Sequence, residues 1–225
     1  MTPQHVAIIC DGNRRWAKAH KLEVVLGHRK AVDDVFEPLI DRAIEHEIKV
    51  LTFWVFSTEN WKRDTTEVSA LMQLFRELLT RQIKQLHEKG IRLKIIGDLS
   101  KFDSDIQEKV QRGLELTKNN SKITVVFAMN YGGRDEILRA INKVIQSQAK
   151  LIDADTFSDQ LDTAGIPDPD FIIRTGGERR LSGFLLWQSE YAELAFPEFY
   201  FPEFTPNKLD ELLEEYQQRK RRFGA

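Results

Sequence analysis

Short apolar runs alternate with longer amphipathic stretches along this chain. Val6-Ala-Ile-Ile9, Val50-Leu-Thr-Phe-Trp-Val-Phe56, Leu93-Lys-Ile-Ile96, Ile123-Thr-Val-Val-Phe-Ala-Met129 and Phe171-Ile-Ile173 are rich in Val and Ile. Several are nearly continuous, as strands covered on both faces require. Between them, helical periodicity covers roughly residues 30–47, 66–89, 103–118 and 134–149. The clearest stripe is Val68, Leu71, Phe75, Leu78, Leu79, Ile83 and Leu86, opened by Asp64 with Glu67 three residues on and closed by Gly90. The rhythm predicts one open α/β domain over residues 1–225, with a mainly parallel central sheet flanked by helices. Residues 207–223 read as a polar terminal helix ending in a basic run, which on charge alone is a solvated tail.

Composition narrows the options. Hydrophobic residues make up 41% and charged residues 30%, enough for a buried core. Lys+Arg 33 against Asp+Glu 35 leaves a formal charge of -2, without the basic excess of a nucleic-acid binder. One cysteine, Cys10, excludes a disulfide framework and a cysteine-ligated zinc, and points to a reducing cytoplasm. No apolar run approaches the ~20 residues of a spanning helix, and Met1-Thr-Pro-Gln-His5 lacks the charged and apolar regions of a signal peptide. Contact with a membrane is expected only at its surface or through a lipid-like substrate.

Ligands of open parallel sheets collect beyond the carboxyl ends of the strands. The segments there are Cys10-Asp-Gly-Asn-Arg-Arg15, Ser57-Thr-Glu-Asn-Trp-Lys-Arg63, Gly97-Asp98, Asn130-Tyr-Gly-Gly-Arg134 and Arg174-Thr-Gly-Gly-Glu-Arg-Arg180. Glycine admits close backbone approach, and a following helix N-terminus favours anions. Arginine matches phosphate oxygens with paired donors. Arg14, Arg15, Arg174, Arg179 and Arg180 converging on one edge would hold more than one phosphate. Asp11 and Glu193 add carboxylates that, with phosphates, suit Mg²⁺. Asp11 also reads as a helix cap, and Glu193 alone as a surface charge. No G-x-S-x-G elbow or P-loop occurs, and the five histidines lack a metal-ligand spacing; only His28 stands beside a glycine turn. Asp33-Asp-Val-Phe-Glu37 imitates an aspartate-rich magnesium motif but occurs once, on a helix face, and reads as a solvated helix start.

His5-Val-Ala-Ile-Ile-Cys-Asp-Gly-Asn-Arg-Arg-Trp-Ala-Lys18, Gly27-His-Arg29, Phe56-Ser-Thr-Glu-Asn-Trp-Lys-Arg63, Asn130-Tyr-Gly-Gly-Arg134 and Ile173-Arg-Thr-Gly-Gly-Glu-Arg-Arg-Leu-Ser-Gly-Phe-Leu-Leu-Trp-Gln188 together resemble the cis-prenyltransferase family, nearest its bacterial undecaprenyl diphosphate synthase type. The resemblance runs from His5 to Gly224. It implies Mg²⁺-dependent condensation of isopentenyl diphosphate with an allylic diphosphate such as farnesyl diphosphate, giving a cis-polyprenyl diphosphate that serves as a lipid carrier for cell-wall synthesis. By the same resemblance Asp11 holds Mg²⁺ and assists diphosphate departure, with Glu193 completing the metal site. Gly12, Asn13, Arg14 and Arg15 cradle the allylic diphosphate, with Trp16 and His28 beside it. Asn60, near Ser57, Thr58 and Glu59, matches the residue assigned to proton removal. An amide is a poor base, so its expected task is to orient water or a diphosphate oxygen. Trp61 and Arg63 order the covering loop. Arg174, Arg180, Leu181 and Ser182 receive isopentenyl diphosphate. The family is homodimeric, and Arg222-Phe-Gly224 resembles its terminal diphosphate-contacting segment.

A growing prenyl chain needs an apolar tunnel; Val32, Phe36, Trp54, Val55, Phe127 and Met129 are candidates, each equally readable as ordinary core. Val24 departs from the arginine common at that position in the family, and bulky tunnel candidates leave room for a product shorter than C55. Two other readings remain open. An aspartyl-phosphate phosphatase would carry a second aspartate where Asn13 stands. A non-catalytic binding subunit would have lost elements that Asp11, Asn60, Arg174, Arg180 and Glu193 represent.

Overall fold

The computed structural model describes residues 2–148 and 151–219. Six strands form one parallel sheet: β1 (His5–Ile9), β2 (Val50–Ser57), β3 (Ile91–Ile96), β4 (Ile123–Tyr131), β5 (Phe171–Arg174) and β6 (Glu193–Ala195). Their order is β3-β4-β2-β1-β5-β6. The helices are α1 (Asn13–Ala19), α2 (Val24–Asp34), α3 (Phe36–Glu45), α4 (Thr65–Glu88), α5 (Ser104–Thr117), α6 (Gly133–Gln146), α7 (Ala154–Ser158) and α8 (Pro206–Gln218).

Alternation along β1 explains its continuous apolar run. Val6 and Ile8 enter the larger core with α2–α5 and α8, whereas Ala7 and Ile9 enter a smaller core on the opposite face with Phe184 and Leu185. The chain leaves β1 toward β2 and later crosses to place β5 on the other side of β1. The chain after β1 goes on to helices of the larger core and the chain after β5 to Phe184 and Leu185 of the smaller one, and a crevice opens at the carboxyl ends of the strands.

Three elements differ from the sequence-based expectation. The single helix expected over 30–47 is two, α2 and α3, meeting at Val35. Pro38 cannot donate to the Asp34 carbonyl and its ring crowds that group, which interrupts a continuous ladder there. Strand β6 has only three residues and no apolar run long enough to register. The terminal helix α8 starts at Pro206, capped by the Thr205 hydroxyl, and ends at Gln218; Arg222-Phe-Gly224 lies outside the described residues. Asp34 pairs with Lys30 within α2, whereas Asp33 and Glu37 are ion-paired to Arg81 and Lys89 and tie α2 and α3 to α4 and its end. No helix among the described residues is long and apolar enough to cross a membrane.

Candidate active site

A cleft of about 540 Å³ opens at the carboxyl ends of β1, β2 and β5. Its walls include Asp11, Gly12, Asn13, Arg14, Arg15, His28, Ser57, Asn60, Arg63, Arg174 and Ser182. Each was a sequence-based candidate, drawn from segments far apart in the chain.

Gly12 makes the turn from β1 into α1 at φ 106°, and a Cβ there would lie 2.6 Å from the Tyr200 ring. Only glycine combines that conformation with that contact. Thr175, directly after β5, clasps the same turn: its hydroxyl accepts from the Asp11 N–H at 3.1 Å and donates to the Asp11 carbonyl at 2.7 Å. The Asp11 carboxylate faces Arg174 Nη2 at 2.9 Å and Arg15 Nη2 at 3.3 Å. It therefore serves an ion pair rather than a helix cap; α1 has no side-chain cap. Arg174 also donates through Nη1 to the Ser182 hydroxyl at 2.7 Å and the Arg180 carbonyl at 2.6 Å.

On the opposite wall, Glu67 accepts from Arg63 at 2.9 Å and stands 3.6 Å from Arg14 Nε. Asp64 caps α4 as its sequence suggests, accepting from the Thr66 N–H, but Glu67 does not complete a capping box. Its carboxylate instead holds two cleft arginines. The i,i+4 spacing of Arg63 and Glu67 was the available signal. Asn60 Oδ1 accepts from the Ser57 N–H at 3.0 Å. With its oxygen engaged, what Asn60 can offer the cleft is its amide donor, and a base it is not.

Four buried side-chain polar atoms among the described residues lack a partner, and three belong to this cleft: Asn13 Oδ1, His28 Nε2 and Arg174 Nε. Such atoms are rare in folded proteins, and their concentration here marks a surface built around a polar ligand. Burial and the nearby Arg63 and Arg14 charges lower the His28 pKa to about 4, leaving a neutral imidazole. Burial and the neighbouring Asp11 charge push the Cys10 thiol well up, which disfavours the thiolate.

Other candidates lie elsewhere. Trp16 is buried, stacked on His20 with ring centroids 4.2 Å apart. Trp61 packs inward on Phe56 and donates to Asn130 Oδ1 at 2.8 Å. Glu59 is ion-paired to Lys62 in the 3-10 turn Thr58–Lys62, and Leu181 packs on the smaller core. The Arg180 side chain is exposed beside Glu178, and Arg179 is exposed too. Glu193 is the largest departure. It opens β6 in register with Phe171, which pairs with Val6, so it sits at the amino ends of the strands while Asp11 lies past their carboxyl ends. Arg219 pairs with it at 3.0 Å. The register of β1, β5 and β6 is unbroken over their paired residues, so Glu193 and Asp11 of one chain stand at opposite ends of the sheet and do not share a metal. No group of three or more His, Cys, Asp or Glu positioned to hold a metal occurs among the described residues. Lys18 lines the cleft without having been singled out from the sequence.

Behind the polar walls the lining turns apolar. A void of about 40 Å³ lies between α2 and α4, bordered by Val32, Phe36 and Val55. Another of about 20 Å³ lies under α4, bordered by Phe127 and Met129. Val55, Phe75 and Leu78 border both, but the two do not form an open tunnel. Trp54 points to the other face, stacked on Phe184 at 5.1 Å, because neighbouring strand residues face opposite ways.

A parallel α/β sheet whose switch-point cleft gathers arginines around Asp11, with apolar voids behind it, defines an α/β protein with an anion-binding cleft set against an apolar interior. The family model described as putative undecaprenyl diphosphate synthase matches residues 9–224. The chain is 44% identical to the isoprenyl transferase of Agrobacterium fabrum, over 99% of this chain and 92% of that one. It is 45% identical to the isoprenyl transferase of Nitrosomonas europaea, over 99% and 85%. Among solved structures, lavandulyl diphosphate synthase from Lavandula x intermedia, in complex with dimethylallyl diphosphate, superposes with TM-score 0.95 at 36% identity, covering 100% and 99% of the two chains. A probable undecaprenyl diphosphate synthase from Campylobacter jejuni gives TM-score 0.85 at 33% identity, covering 100% of both. The chain belongs to the undecaprenyl diphosphate synthase family of prenyltransferases.

Proposed function

We propose that the protein joins isopentenyl diphosphate to an allylic diphosphate and repeats the step to make a cis-polyprenyl diphosphate. The observation that carries this reading is the Arg174–Asp11 pair in a cleft whose other wall holds Arg14, Arg63 and His28. Two anionic heads have separate donors there: Gly12–Arg15 at the start of α1, and Arg174 with Ser182 after β5. The allylic tail would run from the first position into the apolar voids bordered by α4, which must open to admit it.

In the condensation the allylic C1–O bond breaks, C1 bonds to C4 of isopentenyl diphosphate, and a proton leaves C2. Charge gathers on the departing diphosphate, and donors fixed in advance stabilise it. Asn60 orients the diphosphate oxygen or water that takes the proton, since its own oxygen is bound to Ser57. Asp11 is suited to Mg²⁺ shared with diphosphate oxygens and water, because magnesium is commonly held by one or two carboxylates plus substrate phosphates. Bound there, the ion would neutralise charge on the leaving group. Glu193 of the same chain is not part of that set.

A homodimer is supported by Leu138, Ile141 and Ile145, spaced three and four residues apart on α6 and exposed by 61%, 40% and 67%. A cytoplasmic enzyme that touches the membrane only to release product fits this reading. So does a carrier-lipid product such as undecaprenyl diphosphate.

The test is incubation with labelled isopentenyl diphosphate, magnesium and either farnesyl or dimethylallyl diphosphate, followed by chromatography. A ladder of longer diphosphates supports the reading; no incorporation with either primer overturns it. C55 as sole product would reject the shorter chain suggested by the bulky lining, and chains below C55 would support it.

A further inference from the structure

Residues 181–188 carry Ser182, yet little in that segment specifies its shape. Ser182 and Leu185 both adopt left-handed backbone, at φ 53° and 44°, which non-glycine residues keep only when their surroundings hold them. The hold comes from outside the cleft. Glu136, in the first turn of α6, is 1% exposed and accepts three hydrogen bonds: Tyr131 O–H at 2.6 Å, Asp162 N–H at 2.9 Å and Gln188 Nε2 at 3.1 Å. Gln188 Nε2 also donates to the Thr163 hydroxyl at 2.8 Å. At the other end of the segment, the Gly133 N–H donates to the Gly183 carbonyl at 2.7 Å. Phe184 and Leu185 are buried between these anchors, with the Phe184 ring edge-on to Tyr131. Ser182 then meets Arg174 with its oxygen accepting, which leaves its O–H to donate to a ligand.

We propose that Glu136 is a positioning residue for the second diphosphate: its buried carboxylate gathers Tyr131, Asp162 and Gln188 so that residues 181–188 present the Ser182 hydroxyl beside Arg174. Glu136 has no hydrogen bond to Gly12–Arg15, and the loop it holds reaches Asp11 through Arg174, so its loss falls chiefly on one substrate. The inference rests on the reading that Arg174 and Ser182 receive isopentenyl diphosphate.

In Glu136→Gln one oxygen becomes an NH2 set against either the Asp162 N–H or the Tyr131 and Gln188 donors, while the side chain keeps its size. Calorimetric titration with isopentenyl diphosphate, and separately with farnesyl thiodiphosphate, reads the two positions. Affinity for isopentenyl diphosphate should fall about tenfold, with farnesyl thiodiphosphate changed less than twofold. Equal weakening of both, or of neither, in the folded variant overturns the positioning role. If Glu136→Gln does not fold, Gln188→Met keeps the carboxylate and its other two donors and is judged by the same ratio. A wild-type protein that binds neither diphosphate would overturn the functional reading itself. Wild-type binding of both with no selective change in the variants overturns only the role of Glu136.

Discussion

Arg174, at the end of β5, donates to Asp11, just past the end of β1, across 2.9 Å, and the guanidinium is nearly buried. Removing the carboxylate leaves that cation without its counter-charge. Asp11→Asn should lower kcat about 10²- to 10³-fold, the effect of losing one group that stabilises developing charge. It should also cost about 1–3 kcal/mol of stability, less than a fully buried pair because Asp11 is partly exposed. Steady-state incorporation and urea unfolding check the two effects; unchanged kcat would remove Asp11 from the reaction.

Glu67 tethers Arg63 and Arg14 on the other wall. In Glu67→Gln the arginines lose their shared anion and repel one another. The KM for the allylic diphosphate should rise severalfold, with the KM for isopentenyl diphosphate little changed. A variant that raised only the second KM would place Glu67 with the wrong substrate.

Gly27 in α2 lies against α1, where a Cβ would overlap the Asn13 carbonyl oxygen. Gly27→Ala must push the two helices apart, and about 2–3 kcal/mol of destabilisation is expected. Thermal unfolding measures it; a melting temperature equal to wild type would mean the helices separate freely.

His5 is buried, with Nδ1 donating to the Pro167 carbonyl at 2.7 Å and Nε2 accepting from the Thr52 hydroxyl at 2.7 Å. Burial lowers its pKa from 6.5 to about 4. The unfolded chain therefore binds a proton that the folded chain refuses between those values. His5 contributes stability fully present above pH 6.5 and lost as pH falls toward 4. His28 adds to the slope in the same window. Urea midpoints between pH 4 and 7 should rise with pH, and His5→Gln should flatten the slope by about one proton. An unaltered slope would show that His5 protonates freely in the folded state.

The exposed α6 residues give the last expectation. Ile145→Lys places a charge on the face proposed to pair two copies and should convert a dimer to monomer in sedimentation experiments. A variant that sediments like wild type would move the contact to another surface.

Much of the cleft is legible in the primary structure because polar, glycine- and arginine-bearing segments follow each strand. Parallel strands then carry them to one edge. What the segments do not reveal is direction. Trp16 and Trp61 belong to the right segments, yet one turns toward His20 and the other into the core. Glu67 resembles a helix-capping residue until Arg14, distant in the chain, arrives beside it. Val55 borders an apolar void while adjacent Trp54 faces away, a consequence of strand pleating that a continuous apolar run conceals.

The amino-acid order by itself determined the alternating α/β architecture, the chemistry of the loops and the family, because periodicity and local motifs are properties of neighbouring residues. Tertiary structure decided that Asp11 pairs with Arg174, that Glu193 stands at the far end of the sheet, and that Glu136 supports a distant loop. Those relationships depend on strand order and register, which arise only when separated segments bury their apolar faces together.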